Sequence, residues 1–257
     1  MQKTVGEGAE GVRSVQRALD LPALFDESRR SRTVRELIDG SGLAKSTVVR
    51  LVATLEQRGL LWSRGDGRLA PGAGLPRWAA LAQDAWRLPP EAVECLREVS
   101  ERSGGESSRI YVRQGLGRVC VAQHEGTQPL RHVVRIGEEM PLAAGASGHV
   151  LLSGCPEEFV RTVAEAAGQD EGFVKVLVRR VRAARAQGWA VSDGEREDGV
   201  AGVAVPVLGR EGRVVGALTL GGPSGRFTPE RIEAFVPVLT EAAGQLAALR
   251  FLEGGEV

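Results

Sequence analysis

The stretch from Arg32 to Arg68 constrains the fold more tightly than any other part of the chain. Thr33 and Glu36 have the T-x-x-E spacing of a capping box, in which each residue satisfies a backbone N–H left unpaired at a helix start. This predicts a short helix over 34–39, a break at Gly40 and Gly42, and a second helix from about Ala44 to Arg58, closed by Gly59. At about 100° per residue, Val48, Leu51, Val52 and Leu55 fall on one side of the second helix, the pattern of a buried stripe. Ser46, Arg50, Ala53 and Gln57 share the opposite side, which is slender and polar, with Glu56 off its axis. Beyond Gly59, Leu60 to Arg64 and Arg68-Leu69 flank a Gly65-Asp66-Gly67 turn and read as two short strands around a hairpin.

A helix, turn, helix and wing in this order can set the second helix in a DNA major groove, where Arg donates to guanine and Ser or Gln to other base edges. From Ser28 to Arg68 there are nine basic residues against four acids, a local net of +5. The whole chain has a formal net charge of zero, so any affinity for phosphates must come from this uneven distribution. A short helical pair with surface arginines is also an ordinary part of helical domains. The wing and the acid-poor face argue against that plainer reading.

Several segments together resemble the IclR family of bacterial transcriptional regulators: Gly11 to Leu19, Leu43 to Leu51, Leu55 to Leu61 and Gly67-Arg68-Leu69. The family usually has an aromatic residue and Leu-Gly just after the wing, where this chain has Leu69-Ala70-Pro71-Gly72. The resemblance implies DNA contacts at Thr33, Lys45, Ser46, Thr47, Arg50, Arg64 and Arg68. Arg50 and Ser46 would read bases, Lys45 and Thr47 would hold phosphates, and Arg64 and Arg68 would serve the wing. It also implies an α+β chain, a winged helix-turn-helix joined by a helix to a C-terminal GAF-like α/β effector-binding domain.

A length of 257 residues suits two modest domains or one large one, and 42% hydrophobic residues suffice for real cores. The expected organisation is a disordered tail over 1–11, a DNA-binding domain over 12–74, a linker helix over 75–89 and an effector-binding and oligomerisation domain over 90–257. Val12 to Asp26 predicts a first helix that Pro22 kinks or cuts short. The segment from Leu75 to Leu88 carries Trp78 and Trp86, which either pack on the chain's own domains or meet a second copy in a dimer. Leu88-Pro89-Pro90 marks the boundary, because proline disfavours helix in the residue before it and suits the first turn of a new one.

Beyond it the pattern predicts a helix over 91–102, strands over 107–114, 118–124 and 130–136, and helices over 149–152, 156–167 and 174–187. Strands over 189–191, 201–208 and 214–220 follow, then a final helix capped by Thr228-Pro229 and continuing through Pro237. The three cysteines have no C-x-x-C spacing, which fits a reducing cytoplasm. We find no apolar N-terminal run and expect no signal peptide, membrane span or membrane partner.

In the second half, Gly137, Pro141-Leu142, Ala144 to Gly148, Gly188-Trp189-Ala190, Glu195, Gly199-Val200, Val203-Ala204, Pro206-Val207 and Gly222-Pro223 carry the resemblance further. By position it implies an effector pocket at Ala146, Ser147, Gly148, Ser192, Val200, Gly202, Thr219 and Gly221. Glycines admit a ligand to backbone N–H groups and a helix N-terminus favours an anion, so a small organic acid or amino acid is expected. The same glycines would also suit a tight packing loop. The family commonly has Thr or Ser, and Lys, at the positions of Gly145 and His149, so the ligand's identity does not carry over. The stretches Ser107 to Val121 and Trp189 to Val207 look most like regulators of amino-acid metabolism in actinobacteria.

Enzyme chemistry finds no support. Ser147 lacks the residue that a G-x-S-x-G elbow places before its last glycine, and His149 is too near along a helix to serve as its base. His124, His132, Asp193, Glu197 and Asp198 show no triad or metal-ligand spacing, so no metal or other cofactor is expected. The expected protein is a non-enzymatic, cytoplasmic homodimer or dimer of dimers. It would be a repressor or dual regulator that binds a palindromic double-stranded DNA operator under the control of a small-molecule effector. The competing class is a sensor or scaffold that keeps the fold without reading DNA.

Overall fold

The computed structural model describes residues 12–26 and 28–253, apart from the side chains of Gln83, Ala85 and Glu253. The tail expected to be disordered lies outside the described residues. The chain divides into two compact units, Met1–Arg87 and Leu88–Val257.

In the first unit, α1 (Arg13–Asp20) is followed by a 3-10 turn over Pro22–Leu24, shorter than the helix expected to Asp26. Pro22 has no N–H to continue the ladder and its ring excludes the carbonyl a turn earlier. Thr33 caps α2 (Val34–Ser41): its side chain accepts from the Glu36 N–H, and Glu36 Oε2 accepts from the Thr33 N–H at 2.6 Å. Gly40 lies inside α2 rather than breaking it, and Leu24 packs so close that a Cβ there would stand 3.2 Å from its side chain. Gly42, at φ +66°, ends the helix. The helix α3 (Lys45–Gln57) then buries Val48, Val52 and Leu55 with Leu21, Leu37, Leu61 and Leu69 in one small core.

The wing is β1 (Leu61–Ser63) paired antiparallel with β2 (Leu69–Pro71). Arg32 pairs with Leu69 through both backbone hydrogen bonds, which ties the wing to the start of α2. Helix α4 (Leu75–Ala85) completes the unit, with Trp78 and Leu81 exposed on it and Trp86 exposed just after it.

The second unit is a six-stranded sheet in the order β5-β4-β3-β8-β7-β6, every neighbouring pair antiparallel. Its strands are β3 (Ser107–Gln114), β4 (Gly117–His124), β5 (Glu139–Pro141), β6 (Ala190–Asp193), β7 (Val200–Leu208) and β8 (Val214–Pro223). Helices α5 (Pro90–Arg102) and α9 (Pro229–Leu249) cover one face, with Leu96, Ile110, Val203, Val205, Leu218 and Leu239 in a common core. Helices α6 (Ala146–Ser153), α7 (Glu157–Ala166) and α8 (Glu171–Gln187) cover the other, where Tyr111, Cys120, Leu152, Leu177, Ala204 and Ala217 meet. Successive strand residues therefore alternate between two buried faces, as with Ile110 and Tyr111, and β7 is accordingly almost wholly apolar. The result is an α+β chain, a helix-turn-helix unit followed by a layered sheet unit. Burial pushes the thiols of Cys95 and Cys120 up to about 11, as suits packing residues.

One expected strand needs correction. Residues 130–136 form no strand: the carbonyls of Leu130 and His132 accept from Arg226 and Arg109, and the Arg135 N–H donates to Glu138 Oε2, so groups a ladder would use are engaged elsewhere. Of its alternating apolar residues only Val134 is buried, while Leu130, Val133 and Ile136 are exposed. Helix α9, with a window of mean hydropathy 1.3, is long and apolar enough by length and composition to cross a membrane. It is instead a core helix whose Phe235, Leu239, Ala243 and Leu246 pack on the sheet, and the exposed Pro237 leaves its missing donor on the solvent side.

Candidate functional site

On α3 the two faces separate as their spacing predicts. Val48, Val52 and Leu55 are buried, and Ser46, Arg50, Ala53 and Gln57 are exposed. Lys45 is the exposed first residue of the helix, and the N-cap Ala44 offers no side-chain acceptor. The N–H groups and positive dipole end there are therefore open to a phosphate. Beside them a concavity of about 560 Å³ is lined by Arg13 and Arg17 of α1 together with Thr47, Arg50 and Thr54. The sequence reading gave Arg13 and Arg17 no DNA role, although their i, i+4 spacing puts both on one side of α1.

The other residues expected to contact DNA differ in how free they are. Arg64 is exposed on the wing. Arg68 is partly buried: its Nε donates to Ser31 Oγ at 2.9 Å and a terminal nitrogen donates to the Ser31 carbonyl at 2.8 Å, with Glu36 at 3.5 Å. The Thr33 hydroxyl is engaged with Glu36. The Thr33 N–H, then its hydroxyl, hold the Glu36 carboxyl below the usual carboxylate range. Arg68 and Thr33 thus brace the wing against the start of α2.

In the second unit a cavity of about 60 Å³ opens between the sheet and the start of α6. Seven of the eight residues named as an effector pocket line it: Ala146, Ser147, Ser192, Val200, Gly202, Thr219 and Gly221. The eighth, Gly148, stands behind the lining, close against the Leu142 carbonyl and Arg118. Gly145, at φ +87°, turns the chain into α6. The first amides of the helix are already taken, Gly145 N–H by Glu195 Oε2 at 3.0 Å and Ala146 N–H by Ser192 Oγ at 2.9 Å. Glu195 also lies 3.2 Å from buried His149 and 3.3 Å from Arg180. Its burial would raise the carboxyl pKa, but His149, the Gly145 amide and Arg180 outweigh that and hold it below the usual range.

The cavity's charge comes from residues that the sequence reading missed. Arg109 on β3, Arg118 on β4 and Arg196 in the loop after β6 all line it. Arg109 and Arg118 are each 3% exposed, and burial pushes the Arg118 guanidinium down to about 10. Arg118 donates to the carbonyls of Pro141 and Ala144, and Arg109 to that of His132. Burial, then the charges of Arg196 and Arg109, hold the His132 ring below its ordinary pKa. In the sheet register Arg109 faces Thr219, and Gly221 stands where a Cβ would come within 3.3 Å of the guanidinium. The one available signal was strand alternation, which sets Arg109 on the same face as Tyr111.

A winged helix with an exposed polar face, followed by an α/β unit holding a small cavity lined by arginines, defines the class of DNA-binding transcriptional regulators with a sensing domain. The comparisons with known proteins narrow the class. Residues 14–64 match the IclR helix-turn-helix domain and residues 86–248 match the C-terminal domain of bacterial IclR transcriptional regulators, so the chain belongs to the IclR family. This is a family of regulators, not of enzymes.

An IclR-family transcriptional regulator from Rhodococcus sp. is 40% identical, with a TM-score of 0.62 over 97% of this chain and 98% of that one. The HTH-type transcriptional regulator KipR of Bacillus subtilis (strain 168) is 27% identical over 223 residues, 84% of this chain and 89% of that protein. An IclR homologue from Microbacterium hydrocarbonoxydans, solved in complex with 4-hydroxybenzoate, shares the fold at 22% identity with a TM-score of 0.70, covering 94% of this chain and 100% of that one.

Proposed function

We propose that this regulator is a cytoplasmic repressor that binds a palindromic DNA operator as a homodimer or dimer of dimers and responds to a small organic acid or amino acid. Arg50 and Ser46 read bases, Lys45 and Thr47 hold phosphates at the start of α3, and Arg64 contacts the backbone from the wing. Arg13 and Arg17 add phosphate contacts, while Arg68 and Thr33 position the wing and α2. The exposed face of α3 carries this reading: its one long cation, Arg50, stands opposite the buried Val48, Val52 and Leu55, so the helix can seat in a groove without exposing its core. The exposed Trp78 and Leu81 on α4 support a second copy there.

The effector site is the cavity lined by Ala146, Ser147, Ser192, Val200, Gly202, Thr219 and Gly221. The 4-hydroxybenzoate bound by the Microbacterium protein supports an organic acid as the ligand class. The test is a mobility-shift titration on DNA upstream of the chain's own gene, at two salt concentrations with random DNA as competitor. A specific shift weakened about 5- to 150-fold in Arg50→Ala, or about 1 to 3 kcal/mol, is expected. Equal binding to both DNAs by both proteins would overturn the assignment of α3 as the reading helix.

A further inference from the structure

Taking the cavity beside α6 as the effector site, we propose that its ligand is a short dicarboxylate, one negative charge for Arg109 and one for Arg118. A buried guanidinium is retained in proteins when an anion or a full set of acceptors answers it. Arg109 and Arg118 have neither: both are nine-tenths buried or more, both line the cavity, and neither has a carboxylate within ion-pair distance among the described residues. The Nε of each is buried without an acceptor, and so is the Thr219 hydroxyl beside them.

The acids nearby answer other cations. Glu195 is engaged by the Gly145 amide, His149 and Arg180. Glu138 and Glu197 lie 4.0 and 3.8 Å from Arg196. The unanswered charge is therefore that of two guanidiniums facing one space, and a single carboxylate would leave one of them uncompensated.

The room is small. A cavity of about 60 Å³ is far smaller than the roughly 300–1,000 Å³ of a pocket for a drug-sized ligand, so it suits a compact ligand with a short chain. Thr219 is placed to add a neutral donor beside Arg109, with which it pairs across β3 and β8. The Gly145 and Ala146 amides at the start of α6 are already bonded, which leaves the two guanidiniums as the charged groups that face the ligand.

The test is calorimetry and thermal melting of the full chain with malonate, succinate, acetate, 4-hydroxybenzoate and sulfate at constant ionic strength. Malonate or succinate is expected to bind at least tenfold more tightly than the other three. At one hundred times Kd it should raise Tm by roughly 5 to 10 °C. Arg109→Met should melt no lower than the parent without ligand, because it removes an unanswered charge, and should lose dicarboxylate affinity tenfold or more. Thr219→Val, nearly isosteric, should weaken it several-fold.

Acetate, sulfate or 4-hydroxybenzoate matching both dicarboxylates would overturn the proposal, as would undiminished dicarboxylate binding in Arg109→Met. A protein that binds malonate but no operator would refute only the DNA reading. One whose specific DNA shift responds to another acid, with no dicarboxylate heat, would refute only this ligand assignment.

Discussion

Glu106 offers the sharpest test of how the sensing unit is held together. It precedes β3 and is 1% exposed, yet its carboxylate accepts from Arg226 Nε at 2.6 Å and from a terminal nitrogen of Arg226 at 2.8 Å. Arg231 on α9 stands 3.6 Å away, and Arg226 also donates to the Leu130 carbonyl. One acid thus joins the edge of β3, the turn after β8, the start of α9 and the segment over the cavity. Glu106→Gln keeps the shape and removes the charge. Breaking a buried pair from one side costs about 3–5 kcal/mol. The Arg226 and Arg231 side chains are 23% and 36% exposed and can rehydrate, which brings the expected loss to about 2–3 kcal/mol. For a unit of this size that lowers Tm by roughly 5–10 °C. Calorimetry of the full chain reads the shift, and Glu94→Gln, which breaks a solvent-exposed pair with Arg97, is the control that should leave Tm unchanged. Cleavage within 125–138 under limited proteolysis should rise in Glu106→Gln alone. A Tm within about 2 °C of the parent would refute the claim that this network holds the unit together.

Arg64→Ala should weaken operator and random DNA alike and reduce the slope of log K against log salt by about 0.9, whereas Arg50→Ala should act mainly on the operator; filter-binding at four salt concentrations separates them. In Gly72→Ala the new Cβ would collide with the Gly59 carbonyl, where no side chain can yield, so the variant should lose about 1–3 kcal/mol and most DNA affinity, read by melting and mobility shift. Glu195 has a folded pKa below its ordinary value, so its stabilising contribution is complete above the unfolded pKa and vanishes as pH falls through the folded one. Melting curves of Glu195→Gln should therefore depend less on pH than the parent in that acidic window, and equal slopes would count against the His149–Glu195–Arg180 chain.

Much of the fold was legible because it depends on residues a few positions apart. The Thr33–Glu36 capping box, the buried stripe of α3, the Asp66-Gly67 turn of the wing and the proline boundary before α5 each arise within one or two turns of chain. Strand β3 was legible to the residue, and seven of the residues given to the pocket do meet around one cavity. Where local pattern misled, a distant neighbour had intervened. Gly40 looks like a helix breaker, but it stays helical where Leu24 from the preceding turn packs closely against it. Residues 130–136 alternate like a strand, but guanidiniums of Arg109 and Arg226 hold two of the carbonyls a ladder would need.

Most of the helices and strands, and the face of α3 turned to solvent, follow from the sequence, because periodicity and capping act locally. The charge of the cavity does not. Arg109, Arg118 and Arg196 come from two strands and a loop, and only the register of the assembled sheet brings their side chains to one space and leaves two of them without a carboxylate.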